Sequence, residues 1–250
     1  LTVALAGNPN SGKTTIFNYL TGARQHVGNY PGVTVEKKEG TFEHRGTRIH
    51  VVDLPGTYSL TAYTEEEVVA RNFLIEEKPQ VVADVVDASN LERNLYLAVQ
   101  LIELRVPLVL VLNMSDVAER RGFAIDHKRL GELLGARVVP TVGHKGIGID
   151  ALRDAIVQIG CGQDVPKTVE VSYGREINEE LDKLTPMVQA EERLAATYPP
   201  RWVAVKLLED DPQVKNQVGE LASEPGRILE AAAASRRHLA PGAPEYLGDI

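Results

Sequence analysis

Up to about residue 160 the chain alternates apolar, β-branched runs with segments of helical period. The runs Thr2–Ala6, Val35–Glu43, Arg48–Asp53, Val81–Asp87, Leu108–Asn113 and Arg137–Thr141 have the length and composition of strands. Between them, Lys13–Thr21, Glu65–Glu77, Glu92–Leu104, Lys128–Leu134 and Ile149–Ile159 repeat apolar residues at helical spacing. His44-Arg45-Gly46-Thr47 separates two of the strand runs as a hairpin turn would. This alternation predicts an α/β fold: a mostly parallel, six-stranded sheet with helices on both faces and one antiparallel neighbour from the hairpin. Ligands of such sheets bind beyond the carboxyl ends of the strands.

The pattern breaks at Gly160-Cys161-Gly162-Gln163-Asp164-Val165-Pro166. Helical, charged segments follow: Gly174–Leu184, Met187–Thr197, Trp202–Leu208 and the alanine-rich Arg227–Leu239, punctuated by Pro199-Pro200 and Asp211-Pro212. The expected division is therefore a first domain over 1–164 and a small all-helical domain over 165–250, with a frayed end at Pro241–Ile250. The net charge of −8 speaks against a broad electrostatic grip on nucleic acid. The single cysteine, Cys161, excludes an internal disulfide framework and suits a reducing compartment. The longest apolar run, Val106–Leu112, falls short of the roughly 20 residues that cross a bilayer. No signal peptide is visible, and the chain begins inside a predicted strand without an initiator Met, which reads as a shortened chain. His26, His44, His50, His127, His144 and Cys161 lack ligand-like spacing, so they read as solvated surface groups and no iron site is assigned.

The chemistry concentrates in the loops after the strands. Gly7-Asn8-Pro9-Asn10-Ser11-Gly12-Lys13-Thr14 reads G-x-x-x-x-G-K-T, set between a strand and a helix that opens with Thr15. Gly7 and Gly12 let backbone N–H groups converge at a helix N-terminus, where an anion is favoured. Lys13 can reach the outer phosphates and Thr14 can ligate Mg²⁺. Asp53-Leu54-Pro55-Gly56 ends a strand: Asp53 can hold the Mg²⁺ shell and the Gly56 N–H can bond the terminal phosphate. Asn113-Met114-Ser115-Asp116 ends another, with Asp116 placed to accept from the N1–H and 2-amino group that guanine has and adenine lacks. Asn113 would tie this loop to the phosphate loop. In Thr141-Val142-Gly143-His144-Lys145-Gly146, the Gly143 N–H is the candidate donor to the guanine oxygen, with Val142 beside it. These are the markers of a small GTPase domain in the expected order. Thr34 would close on Mg²⁺ and the terminal phosphate, with Gly32 and Val33 beside it. Ala23–Gly32 is then switch one and Gly56–Val69 switch two. Thr64 followed by Glu67 has the spacing of a capping box.

The strings Gly7–Thr15, Asn29-Tyr30-Pro31-Gly32-Val33-Thr34-Val35-Glu36 and Asp53-Leu54-Pro55-Gly56-Thr57-Tyr58-Ser59-Leu60 resemble the cytosolic N-terminal part of the ferrous-iron transport protein B (FeoB) family. Arg201–Glu209 resembles that family's helical segment, and the likeness covers roughly residues 1–210. The resemblance implies a GTPase domain plus a helical domain that modulates GDP release. It also implies a polytopic membrane domain in the same full-length chain that moves Fe²⁺, with small accessory iron-transport proteins as further partners. The region would then work at the cytoplasmic face of the bacterial inner membrane, as a monomer or weak oligomer when isolated. Thr57 stands where Ras-like GTPases place a water-orienting Gln, so slow intrinsic hydrolysis is expected. The resemblance implies a substitute: a K⁺ ion held by the Asn10 side chain and switch-one carbonyls. Catalysis would then rest on Asn10, Lys13, Thr34 and Gly56. Met114 replaces the Lys that often covers guanine, which predicts modest affinity and quick GDP release. Two other readings stay open: a ribosome- or RNA-associated GTPase of the potassium-activated type sharing the phosphate loop, and a nucleotide-gated module that hardly turns over.

Overall fold

The computed structural model describes residues 1–22, 25–164 and 167–240. The chain divides into two compact units, Leu1–Val169 and Glu170–Ile250. The expected boundary at 164/165 falls on Val165 and Pro166, outside the described residues, and the division found lies a few residues later. The reason is local: Lys167–Val169 still packs on the first unit, where a Cβ added at Gly135 would meet the Lys167 carbonyl at 2.1 Å. The frayed end expected at Pro241–Ile250 also lies outside the described residues.

In the first unit, β1 (Thr2–Gly7), β2 (Gln25–Asn29), β3 (Glu36–His44), β4 (Thr47–Asp53), β5 (Val81–Asp87), β6 (Leu108–Asn113) and β7 (Arg137–Pro140) form one sheet. Its order is β2-β3-β4-β1-β5-β6-β7. The strands β4, β1, β5, β6 and β7 run parallel, while β2 and β3 are antiparallel to their neighbours. The sheet thus has seven strands, not six. The added strand, β2, lies within the segment expected to be switch one, of which Ala23 and Arg24 are outside the described residues. Gln25-His26-Val27-Gly28-Asn29 is exposed along almost its whole length and has no buried face, so no apolar alternation announces it. Only its pairing with β3, His26 opposite Glu39, makes it a strand. The β3–β4 turn places Arg45 and Gly46 at φ 48° and 76°, the left-handed pair that suits a two-residue hairpin.

Helices α1 (Lys13–Thr21), α2 (Glu65–Glu76), α3 (Leu91–Glu103), α4 (Ser115–Arg120), α5 (His127–Leu134) and α6 (Ile149–Gly160) complete this unit. One core gathers Ile16, Phe17 and Leu20 of α1 and Leu152, Ile156 and Ile159 of α6 against Val3, Leu5, Val51, Val85 and Val109 of the sheet. The opposite face packs Leu95 and Ala98 of α3 and Leu130 and Leu134 of α5 against Val86, Leu110 and Leu112. The central strands are covered on both sides, as their unbroken apolar runs require. At α2 the capping box forms: the Thr64 hydroxyl accepts from the Glu67 N–H at 3.2 Å while the Glu67 carboxylate accepts from the Thr64 N–H.

The second unit holds α7 (Arg175–Gln189), α8 (Glu192–Thr197), α9 (Pro200–Leu208), α10 (Pro212–Leu221) and α11 (Pro225–Leu239). The break expected between Leu184 and Met187 does not occur: α7 continues through Pro186. The Thr185 hydroxyl bonds the Leu181 carbonyl at 2.7 Å in that turn. The unexpected helix α10 buries only Val214 and Val218, too little for a periodic signal, and is started by Asp211, whose carboxylate accepts from the Val214 N–H.

An acid staple joins α11 to α7. Glu180 is 3% exposed; its carboxylate accepts from the Ser235 hydroxyl at 2.7 Å and meets His238 Nδ1 at 2.8 Å and Lys183. Burial alone would raise its pKa, but the Lys183, Ser235 and His238 hydrogen bonds overcome this and bring it down to about 2. A depressed carboxylate pKa contributes stability present above the unfolded value, near 4.5, and lost as pH falls toward 2. Glu180→Ala is expected to destabilise the helical unit by about 3 kcal/mol at neutral pH. The difference from the parent should shrink toward pH 2 in urea melts followed by Trp202 fluorescence; a pH-independent difference would refute the electrostatic account.

Candidate nucleotide site

The loop between β1 and α1 is shaped by its glycines. A Cβ at Gly7 would stand 2.5 Å from the Val85 carbonyl oxygen, and one at Gly12 would stand 2.2 Å from Asn113 Nδ2. Larger residues would push the loop open. Asn10 takes a left-handed φ of 65°, a conformation that Asn tolerates better than most residues, and its side chain is exposed without a hydrogen bond among the described residues. The Asn8 amide and the Ser11 hydroxyl are buried and have no partner among the described residues. Such groups are unfavourable unless a ligand or water satisfies them. Thr14 is exposed at the start of α1, and Pro9 lies beside Gly56. A Cβ at Gly56 would meet Pro9 at 3.5 Å, an ordinary contact, so space alone does not demand glycine there.

Lys13 Nζ makes an ion pair with Asp53 Oδ1. Burial raises the Asp53 carboxyl above its ordinary value, while Lys13 and then Lys38 pull it back. The Tyr30 hydroxyl bonds the Asp53 carbonyl at 3.4 Å, and its ring meets Phe73 of α2 edge-on with centroids 6.4 Å apart. The Tyr30 N–H donates to the Val35 carbonyl at 2.9 Å, pinching off a loop that carries Gly32, Val33 and exposed Thr34. Thr57 is buried, so the position that lacks Gln also does not project a side chain into solvent.

At the other end of the site Asn113 joins three loops. Its Nδ2 donates to the Ser11 carbonyl at 2.8 Å; its Oδ1 accepts from the Gly143 N–H at 2.8 Å and the Thr141 hydroxyl at 3.3 Å. The Gly143 N–H is thus engaged here, and reading a guanine oxygen through it requires sharing or exchanging that bond. Met114 opens α4 with a left-handed φ of 58°. Asp116 Oδ2 lies 3.3 Å from Lys145 Nζ and 3.5 Å from Arg120, whereas Oδ1 is buried without a partner among the described residues. Partial desolvation of Asp116 acts upward, but the Lys145 hydrogen bond and the charges of Lys145, Arg120 and His144 hold its pKa below the ordinary value. Lys145 and Thr141 received no role from sequence; their place in the same loop as Gly143 was the available signal.

The loops after β1, β4, β6 and β7 therefore bring together the phosphate-loop residues, Asp53, Asn113, Asp116, Val142 and Gly143. Hard oxygen donors suited to Mg²⁺ are present in Thr14, Thr34 and Asp53, and the neutral oxygen of Asn10 suits a monovalent cation. A cleft of about 630 Å³ lined by His127, Lys128, Glu132, Arg137 and Asp164 contains none of the motif residues. Among the described residues, no group of three His, Cys, Asp or Glu could hold a metal ion, and no helix is long and apolar enough to cross a membrane.

The profile of the family described as ferrous iron transport protein B matches residues 1–156, and that of the FeoB cytosolic helical domain matches residues 173–245. An Fe(2+) transport protein A/Fe(2+) transporter FeoB fusion protein of Porphyromonas gingivalis is 47% identical over 220 residues, covering 87% of this chain and 26% of its own length. The cytosolic domain of the T. maritima FeoB iron transporter in a GDP form superposes with a TM-score of 0.83 at 35% identity, over 100% of this chain and 96% of that one. Its GMPPNP form gives the same figures. The chain spans only 26% to 30% of the length of the curated relatives it matches.

Proposed function

The chain belongs to the ferrous iron transport protein B family, and from that premise we propose that it binds and hydrolyses GTP and so regulates a ferrous-iron transporter of which it forms the cytosolic part. The observation that carries the nucleotide reading is the pairing of two unsatisfied sites: the glycine-shaped phosphate loop with buried Asn8 and Ser11, and the partnerless Asp116 Oδ1. The relatives solved with GDP and GMPPNP support it. The RNA-associated alternative gives way to the family match.

Lys13 exchanges partners in this scheme. With phosphates in the loop, its ammonium would turn from Asp53 to the outer phosphate oxygens, leaving Asp53, with Thr14 and Thr34, as the groups that would hold Mg²⁺. Bound Mg²⁺ supplies charge neutralisation at the phosphates. The backbone N–H of Gly56 and the loop around Thr34 hold the terminal phosphate while water attacks its phosphorus and the bond to the β-phosphate oxygen breaks. Thr57, buried, cannot orient that water. Asn10 would hold K⁺ with switch-one carbonyls, offsetting developing charge as an arginine finger does. The helical unit slows or speeds GDP release, and the partner regions are the membrane part and small accessory proteins.

Turnover in matched K⁺ and Na⁺ buffers tests the enzyme reading. K⁺ is expected to raise the rate by at least about tenfold, and Asn10→Ala to abolish that stimulation while leaving GDP binding. Equal rates in both salts would remove the cation mechanism, and no turnover in either would favour a binding module that hardly hydrolyses.

A further inference from the structure

The loop leading from Gly56 into α2 presents an aromatic surface that the nucleotide chemistry does not use. Tyr58 is 41% exposed and Tyr63 79%, and Tyr96 on α3 is 43% exposed. Arg93 lies over the Tyr58 ring, 4.3 Å from its centroid, and Tyr96 follows Arg93 by one helical turn. The loop carrying these rings is tied down. The Ser59 hydroxyl and the Tyr63 N–H both donate to the Glu67 carboxylate, the Leu60 N–H donates to Gln100 of α3, and Arg71 bonds the Leu60 carbonyl. Little ordering remains to oppose binding. On the first turns of α2 and α3, Glu65, Glu66 and Glu92 are exposed and have no ion-pair partner among the described residues.

We propose that this face, Tyr58, Tyr63 and Tyr96 with Glu65, Glu66 and Glu92 close by in sequence on α2 and α3, docks a Lys/Arg-bearing polypeptide segment. Ring faces attract ammonium and guanidinium groups; Arg93 displays that mode on Tyr58, a ring that an incoming cation must share or take over, while Tyr63 is the more open ring. The free carboxylates provide complementary charge and steer encounter. Membrane proteins concentrate Lys and Arg in their cytoplasmic loops, and the relatives in which this region makes up 26% to 30% are named as transporters. The occupant is such a loop. The inference rests on the GTPase reading to the extent that Tyr58 follows Gly56, the proposed phosphate contact, by only two residues.

Fluorescence anisotropy with fluorescein-labelled hexa-arginine, at about 150 mM KCl to screen diffuse attraction, tests it on this chain loaded with GDP or GMPPNP. Tyr58→Ser/Tyr63→Ser is expected to weaken binding about tenfold and Glu65→Gln/Glu66→Gln about fivefold. Glu76→Gln/Glu77→Gln, an equal charge change at the other end of α2, should alter it less than about twofold. Equal weakening by all three pairs would reduce the effect to net charge and overturn the proposal, as would absence of binding by the parent. GDP binding measured on the same samples separates the two readings: its failure overturns the nucleotide site, whereas loss of peptide binding with GDP binding retained overturns only the docking face.

Discussion

Asp116→Asn lowers GDP affinity by at least about a hundredfold, close to 3 kcal/mol, and transfers preference to xanthosine diphosphate. The substitution keeps the shape of the side chain but presents an amide donor where a carboxylate oxygen stood. Guanine offers a 2-amino donor at that point; xanthine offers a carbonyl acceptor. In the parent, Oδ2 is already held by Lys145 and Arg120, and Oδ1 is buried without a partner, so a base that cannot donate leaves it unsatisfied. Competition titrations with a fluorescent GDP analogue read both affinities. Undiminished GDP binding by the variant would show that the base is not recognised at Asp116.

Asp84→Asn raises stability at pH 8, and the advantage shrinks or reverses at pH 5. Asp84 sits in the middle of β5, opposite Ala6 on one side and Leu110 on the other, fully buried, with neither carboxylate oxygen partnered among the described residues. Burial pushes its pKa up to about 7 from an ordinary 3.8. With the folded value raised, the folded state holds the proton longer. The favourable contribution is complete below pH 3.8 and is lost as pH rises to 7. The full difference is about 4 kcal/mol, at about 1.4 kcal/mol per pH unit across the window. The neutral amide avoids the ionisation but leaves polar atoms unpaired, a penalty of about 1–3 kcal/mol that does not vary with pH. The slope is therefore the diagnostic quantity, read from urea midpoints by circular dichroism. Parallel pH profiles for parent and variant would show that Asp84 does not titrate in the fold.

Much of this protein was determined by short stretches of sequence. The phosphate loop, the Asp53–Gly56 turn and the Asn113–Asp116 loop each fit within a few consecutive residues, and each follows a strand that its apolar run already announces. The capping box at Thr64 and Glu67 is likewise one helical turn long. Such features depend on backbone conformation and spacing, which local sequence controls. Other features exist only because distant segments meet. β2 has no buried face and becomes a strand through β3. Asn113 becomes a hub because Ser11, Thr141 and Gly143 arrive around it. Lys145 reaches Asp116 across the loops, and Tyr30 joins switch one to α2 through Phe73. Asp84 appears in sequence as one acid within Val81–Asp87; closure of helices over both sheet faces buries it fully and leaves neither carboxyl oxygen partnered among the described residues. Pattern reveals which side of an element is apolar, whereas solvent exclusion and long-range hydrogen bonds arise only when the elements pack together.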